Sequence, residues 1–118
     1  MKTKLERGMV IDVNLDPTVG SETGKIRPCV IVTNDVYNQI VPVIQVVPLT
    51  NWNSKKAKIK TNITIEPSAK NGLTKQSIAD CLQTRPIDRR YRLLKVRGKL
   101  AATTMNKINE SLKTIFNL

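Results

Sequence analysis

The feature that most constrains the fold is the run Ile40–Leu49, in which nearly every side chain is apolar. A run of this length is typical of a β-strand buried on both faces, because a half-exposed strand alternates apolar and polar residues. Pro42 has no backbone N–H to donate to a neighbouring strand, so it marks the start of this strand or an irregularity in it. The sequence therefore predicts a sheet with Ile40–Leu49 as its central strand.

Other segments predict the remaining strands and one helix. Val10–Leu15 alternates apolar and polar side chains, as a half-buried strand does. Near Met105 the apolar spacing changes to that of a helix, which Thr103 or Thr104 can cap. Three further strands are predicted between turn signals, at Pro28–Thr33, Ile59–Ile65 and Leu73–Thr84.

The size of the chain limits how these elements are arranged. Its 118 residues are enough for one compact domain and too few for two. Several short strands in a chain of this size are typical of a small barrel. We therefore expect a single domain over residues 1–118, mainly β with a C-terminal helix, folded as a small SH3-like barrel of five or six mostly antiparallel strands.

Positive charge is concentrated in the second half of the chain. The formal net charge is +11, and all of it comes from residues 55–118, because acidic and basic residues balance before that point. Two basic runs carry most of it, one at 55–60 and one at 85–99. Such runs are often only a solvated face, but two with so few acids between them favour a surface that binds a polyanion.

The chain contains no histidine and two cysteines, Cys29 and Cys81. This composition excludes histidine acid–base chemistry and almost every type of zinc site, so we expect no metal and no cofactor. The cysteines lie in apolar runs without a CxxC spacing, which favours reduced, buried thiols. No secretion signal or membrane-spanning apolar segment is recognisable, so a cytoplasmic protein is expected.

The most unusual segment is the loop Pro17–Pro28, which contains two glycines and several polar residues. It fits neither the P-loop pattern, because Ile26 follows Gly24-Lys25, nor the dinucleotide fingerprint. Arg27 enters the next strand directly before Pro28, and an arginine at a strand edge is well placed to bind a phosphate through two nitrogens. The loop is therefore the first candidate for a functional site.

The same loop carries a resemblance to a known family, the MazF/PemK toxin endoribonucleases. The similarity covers nearly the whole chain and is most specific at the Gly-Ser-Glu…Arg-Pro block. The matching segments are Arg7-Gly8, Asp16-Pro17-Thr18, Gly20-Ser21-Glu22 with Gly24, Arg27-Pro28, Asn34-Asp35, Pro48-Leu49-Thr50, Ser77–Arg85, Ile87-Asp88 and Lys99-Leu100 with the C-terminal helix.

The resemblance implies a fold, a reaction and partners. It implies an SH3-like barrel of the MazF/PemK/CcdB type that forms a homodimer and cleaves single-stranded RNA without metal or ribosome. In that reaction the 2′-hydroxyl attacks the neighbouring phosphate, leaving 2′,3′-cyclic phosphate and 5′-hydroxyl ends. Arg27 would be the main catalytic residue and Thr50 its partner, with Ser21 and Glu22 on a mobile loop. An acidic antitoxin of the MazE type would block the RNA groove.

The residue chemistry is compatible with this implication. A guanidinium such as that of Arg27 can stabilise the charge of a pentavalent phosphate, and a Thr50 hydroxyl can hydrogen-bond a phosphate oxygen. Glu22 is the nearest general base by position, although an exposed loop carboxylate is a weak one. Some family members have an arginine at the position of Asp80, and their catalysis is assigned to that segment. Because Asp80 departs from this pattern, the prediction shifts toward Arg27 and Thr50.

Several other side chains are predicted to contact RNA. Trp52 lies between two asparagines, where an aromatic ring can stack on a base, although packing is at least as good an interpretation. Gln83 and Arg85 are predicted RNA contacts, with a polar pair at a sheet edge as the alternative. The remaining predicted contacts are Ser21, Lys25 and Lys56.

Two rival functions stay open at this stage. A topoisomerase poison could be built on the same barrel, acting on gyrase without cleaving RNA. A barrel that binds nucleic acid without catalysis is the other alternative. The charge distribution does not separate these from a ribonuclease, whereas Arg27 and Thr50 occurring together favours the ribonuclease.

Overall fold

The computed structural model describes residues 4–118. Seven strands form one antiparallel sheet: β1 (Met9–Asn14), β2 (Ile26–Ile31), β3 (Val43–Asn51), β4 (Asn62–Ile65), β5 (Ser77–Asp80), β6 (Arg85–Asp88) and β7 (Leu93–Lys99). The helices are α1 (Asp35–Ile40), α2 (Ser54–Ala57), α3 (Arg89–Arg92) and α4 (Ala102–Phe116), with a 3-10 turn at Cys81–Gln83. The mainly β fold with a C-terminal helix that the sequence predicts is confirmed.

The strand predicted to be central is central. The sheet runs in the order β4-β5-β3-β2-β1-β7, and β3 also pairs with β6. β3 begins at Val43, directly after Pro42, rather than at Ile40, because Asn34 caps a short helix that continues through Ile40. Pro42 therefore marks the start of the strand, as one of the two sequence interpretations expected.

Pro48 explains why β5 and β6 are separate strands. Both pair with the same edge of β3, β6 with its first half and β5 with its last residues. Gln45 O accepts a hydrogen bond from Val32 of the β2 side, and Val46 O accepts one from Thr84 on the opposite side. Backbone N–H and C=O groups alternate between the two edges of a strand, so those of Pro48 point to the same neighbouring strand as those of Val46. Pro48 has no N–H to donate to that neighbour. The partner strand is interrupted at this point by the 3-10 turn.

Apolar side chains fill both faces of the sheet. On β1, Val10 packs in one cluster, while Ile11 and Val13 pack in the other. The first cluster is closed by Met105 and Ile108 of α4. The second is formed mainly by residues 11–15, 29–31 and 44–46 with Ile87, so the curled sheet packs on itself as in a small barrel.

Two sequence expectations need correction. The basic run at 85–99 contains β6, α3 and β7, which the sequence analysis interpreted only as charge. β7 is an edge strand without a fully buried residue, so no apolar alternation marks it. The cap of α4 was also wrong: the helix begins after Ala101, without a side-chain cap, and not at Thr103 or Thr104.

Candidate functional site

Arg27 and Thr50 lie on the sheet face that is turned away from α4. Side chains alternate along a strand, so Arg27 shares the face of Cys29, which packs in the second cluster. Cys29 pairs with Pro48, and continuing this register by two residues brings Arg27 opposite Thr50. Both side chains are half-buried. The two predicted catalytic residues therefore lie on the same sheet face, near the ends of adjacent strands.

The guanidinium of Arg27 is oriented by the loop that precedes it. Its Nε donates to Gly24 O at 3.3 Å. Within residues 4–118 its two terminal nitrogens donate to no acceptor, so a forked pair of N–H donors is available to an anion. This is the geometry that bidentate binding of a phosphate requires.

A second guanidinium lies near the same point. Burial raises the pKa of the Cys29 thiol to about 12, while the positive charges of Arg85 and Arg27 and the negative charge of Asp12 modify it. Arg85 and Arg27 are thus both close to Cys29. Cys29 and Cys81 are free and buried, and burial raises the pKa of Cys81 too, so both act as apolar packing groups, as predicted.

Lys56 is brought to Thr50 by the short helix α2. The Lys56 ammonium lies 3.5 Å from Thr50 Oγ1. Its backbone is fixed from two sides: Lys56 N donates to Asn53 Oδ1 at 2.7 Å, and Asn62 Nδ2 donates to Lys56 O at 3.1 Å. The predicted RNA contact Lys56 therefore belongs beside the catalytic pair, adding a positive charge to it.

The base of the loop between β1 and β2 is closed by backbone hydrogen bonds. Lys25 N donates to Asp16 Oδ1 at 2.9 Å, and Leu15 N donates to Lys25 O at 2.9 Å. Lys25 has a φ of 68°, and its side chain is exposed. A Cβ on Gly24 would lie 2.5 Å from Thr18 Oγ1, so glycine is needed for this closed arrangement.

Gln83 fastens the tip of this loop to the 3-10 turn. Its Oε1 accepts from Thr23 N at 3.2 Å, and its Nε2 donates to Ser21 O at 3.2 Å. Glu22 is exposed, and its Oε1 accepts from Val19 N at 2.8 Å inside the loop. The loop is thus bonded to the 3-10 turn, and the Glu22 carboxylate is bound within it.

A cleft of about 370 Å³ lies between the loop and the 3-10 turn. It brings together the predicted residues Glu22, Gln83 and Arg85, but its lining does not include Arg27 or Thr50. Arg85 Nη1 donates to Leu15 O at 3.0 Å, so part of its guanidinium is engaged by the protein. The predicted site residues therefore form two adjoining groups, one at Arg27 and one in the cleft.

Two residues of the site were missed as functional candidates. Arg92 Nη1 donates to Asn14 O and Asp16 O at 2.9 and 2.8 Å, and so supports the loop base from α3. Asp80 ends β5 beside Lys56, and burial raises its pKa while Lys56 and the backbone N–H of Gln83 oppose that rise. No local pattern marks Arg92, whereas Asp80 was noticed only as a departure.

Trp52 lies next to the site but is partly engaged. Its side chain is 38% exposed, and Nε1 donates to Thr64 Oγ1 at 3.2 Å. The Nε1 edge of the indole ring is thus bonded to β4, while part of the ring remains accessible. This placement is compatible with stacking on a base.

The described residues hold no group of three or more His, Cys, Asp or Glu side chains that could bind a metal ion. Between residues 4 and 118, none of the helices has the length and apolar character needed to cross a bilayer.

Relatives with similar sequences have known activities. The chain is 37% identical over 108 residues to the endoribonuclease MazF of Staphylococcus saprophyticus, covering 92% of this chain and 88% of that protein. It is 33% identical over 109 residues to the endoribonuclease EndoA of Bacillus subtilis, covering 92% and 91%. Both alignments include nearly all of the elements described above.

Solved structures share the fold. The crystal structure of MazF from Deinococcus radiodurans superposes with a TM-score of 0.84, at 18% identity and covering 99% of this chain and 100% of that one. A mycobacterial endoribonuclease in complex with its cognate antitoxin gives a TM-score of 0.74 at 26% identity, covering 95% and 94%. The barrel-like arrangement is therefore that of MazF structures.

A family model confirms the resemblance found in the sequence. Residues 6–116 match the model described as the PemK-like, MazF-like toxin of type II toxin–antitoxin systems. The match spans the β1–β2 loop, both catalytic candidates and α4. The chain belongs to the PemK-like, MazF-like toxin family of type II toxin–antitoxin systems.

Proposed function

We propose that this protein is an endoribonuclease toxin that cleaves single-stranded RNA at short sequences, acting on mRNA in the cytoplasm without ribosome or metal. The observation that carries the proposal is that Arg27 and Thr50 lie on one sheet face near the ends of adjacent strands, with the terminal guanidinium nitrogens of Arg27 available and Lys56 at the Thr50 hydroxyl. Two cations and a hydroxyl at one point form a binding site for a phosphate. The two endoribonucleases among its relatives give independent support.

The proposed reaction is an internal transfer of the phosphoryl group. The RNA 2′-oxygen forms a bond to phosphorus, the bond from phosphorus to the 5′-oxygen breaks, and the products have 2′,3′-cyclic phosphate and 5′-hydroxyl ends. The 2′-hydroxyl loses a proton and the leaving 5′-oxygen gains one. Arg27 stabilises the negative charge of the pentavalent intermediate and donates to the leaving oxygen, while Thr50 orients a phosphate oxygen.

We assign Glu22 mainly a structural role in the loop and less a role in proton transfer. Its Oε1 already accepts the Val19 amide, and its carboxylate is exposed to water, which makes it a weak general base. We expect Glu22 to shape the loop around the RNA. Ser21 and Lys25, exposed on the same loop, are the side chains expected to reach the RNA backbone.

Gln83 and Arg85 are proposed to act on RNA partly through the loop. Both donate hydrogen bonds to loop backbone, so they shape the cleft as well as line it. Trp52 is proposed to stack on a base with its accessible part. The choice of RNA bases would then depend on the cleft, and cleavage would depend on Arg27 and Thr50.

Two protein partners are proposed. An acidic antitoxin of the MazE type is expected to cover the basic site, as suggested by the mycobacterial endoribonuclease solved with its cognate antitoxin. A homodimer is expected from the family. Apolar side chains that remain exposed in one chain, such as Ile40 and Tyr91, offer surface for a second copy, and sedimentation equilibrium would measure the stoichiometry.

The deciding experiment is incubation of the purified protein with a long single-stranded RNA in EDTA, followed by mapping of product ends. We expect discrete cuts with cyclic phosphate ends, and none with a folded Arg27→Ala variant. Lys113→Met serves as the matched control, because it removes an exposed cation of α4. A folded wild-type protein that leaves the RNA intact would contradict the proposal and direct attention to gyrase binding.

A further inference from the structure

Asp80 is an acidic residue on the sheet face that carries the cationic candidate site. Its alternation partner Ile78 pairs with Thr50, so the Asp80 side chain lies on the same sheet face as Thr50. It pairs across the sheet with Asn62 of β4, whose Nδ2 holds the backbone of Lys56. Asp80 therefore shares a sheet face with Thr50, the partner of the Lys56 ammonium, and is paired with Asn62, which holds the Lys56 backbone.

Some polar atoms near Asp80 have no hydrogen-bond partner or close ion pair among the described residues. Asn62 Oδ1 is buried and has no hydrogen-bond partner among the described residues. The Asp80 carboxyl is half-buried and, within residues 4–118, forms no close ion pair. Burial raises the pKa of this carboxyl, and the positive charge of Lys56 opposes that rise.

Keeping a carboxylate there costs stability. Burial raises the pKa of Asp80, which means that the surroundings disfavour its charged form. An asparagine or leucine would avoid this cost. The carboxyl is a candidate for function because it lies on the sheet face of Thr50 and opposite Asn62, which holds the backbone of Lys56. An acid also weakens the attraction of the site for phosphate, unless it holds a cation in place.

We propose that Asp80 is a positioning residue whose charge keeps the Lys56 ammonium at Thr50 Oγ1, where the lysine joins Arg27 in binding the scissile phosphate. The inference rests on the proposed ribonuclease function. A lysine side chain has four rotatable bonds and otherwise extends into water, so a fixed negative charge behind it narrows its range. Asp80 itself does not touch the reacting atoms.

The kinetic test compares Asp80→Asn, Lys56→Met and the double variant at saturating RNA. We expect Asp80→Asn to lower kcat about tenfold with little change in KM, which is the size of coupling found between neighbouring side chains. In the Lys56→Met background the same substitution should have almost no further effect. Glu110→Gln, which removes an exposed acid from α4, is the charge-matched control.

The pH profile separates positioning from a structural role. The groups near Asp80 that bear on its charge are Lys56 from α2, Asn62 from β4 and the adjoining Cys81 thiol. Wild-type kcat should fall as pH drops through the raised pKa of Asp80, whereas Asp80→Asn should lack this ionisation. An acidic limb that persists unchanged in Asp80→Asn would overturn the proposal.

A measurement without RNA distinguishes this proposal from the ribonuclease proposal. NMR relaxation of the lysine Cε groups should show Lys56 more ordered than exposed Lys75 in the wild type, and equally mobile in Asp80→Asn. Lys56 order that is unchanged in the variant would refute positioning even if RNA is cleaved. Loss of Lys56 order in a protein that fails to cleave RNA would support positioning and contradict only the ribonuclease.

Discussion

The Gln83 side chain offers a quantitative test of how the loop is ordered. It makes two hydrogen bonds to loop backbone, to Thr23 N and Ser21 O, each at 3.2 Å. A typical intramolecular hydrogen bond contributes about 0.5–1.5 kcal/mol net, so Gln83→Ala should cost the closed loop about 1–3 kcal/mol. The core is untouched, because Gln83 lies outside both apolar clusters.

Amide hydrogen exchange measures this local cost directly. Opening of the loop exposes the Thr23 amide, so its exchange should become about 5- to 150-fold faster in Gln83→Ala, while amides of β3 keep their protection. Gln83→Glu should give an intermediate value, since it keeps the acceptor for Thr23 N and loses the donor to Ser21 O. Gln76→Ala is the control, because Gln76 bonds Glu66 instead. An unchanged Thr23 exchange rate in Gln83→Ala would refute the reasoning.

Four further outcomes are expected. Thr50→Val should lower kcat about tenfold without weakening RNA affinity, because one hydrogen bond to the phosphate is lost; unchanged turnover would remove Thr50 from the mechanism. Affinity for a non-cleavable RNA should fall with salt, each neutralised phosphate adding about 0.7 to the log–log slope, and a flat response in filter binding would place the basic runs elsewhere. Gly24→Ala should accelerate exchange of the Lys25 amide, because its Cβ would displace Asp16 Oδ1. Asp80→Asn should raise the thermal midpoint of unfolding at neutral pH and not at low pH. Because the pKa of Asp80 is raised in the folded protein, its protonated form stabilises the fold at low pH, and this stabilisation is lost as the pH rises through that pKa. Equal midpoints of the wild type and Asp80→Asn at neutral pH would contradict the cost of the buried charge.

The sequence predicts the parts of the fold that apolar periodicity marks. The alternation of Val10–Leu15 and the run at Ile40–Leu49 correspond to β1 and β3, and the helical spacing after Met105 corresponds to α4. β6 and β7 escape prediction: β6 has only four residues, of which Ile87 alone is buried, and β7 is an edge strand rich in basic residues without a fully buried side chain. Local patterns therefore identify the buried strands and miss those that interact mainly through their backbone.

The candidate site, too, was predicted from the sequence only in part. Arg27 and Thr50 were named from the sequence through a family motif, and the sheet register puts both on one face of adjacent strands. The bonds from Gln83 and Arg92 to the loop could not be predicted, since they join side chains to backbone atoms 62 and 78 positions away. Side-chain-to-backbone bonds over such separations have no sequence signature.

The pairing of β1 with β7 has a consequence for synthesis of this toxin. β1 is made early, but its outer edge is covered only by β7, and the loop after it is held by Arg85 and Arg92 from the later part of the chain. Folding of such a non-local sheet waits until both strands have left the ribosome. A nascent chain therefore lacks both the β1–β7 pairing and the completed loop until translation is almost finished.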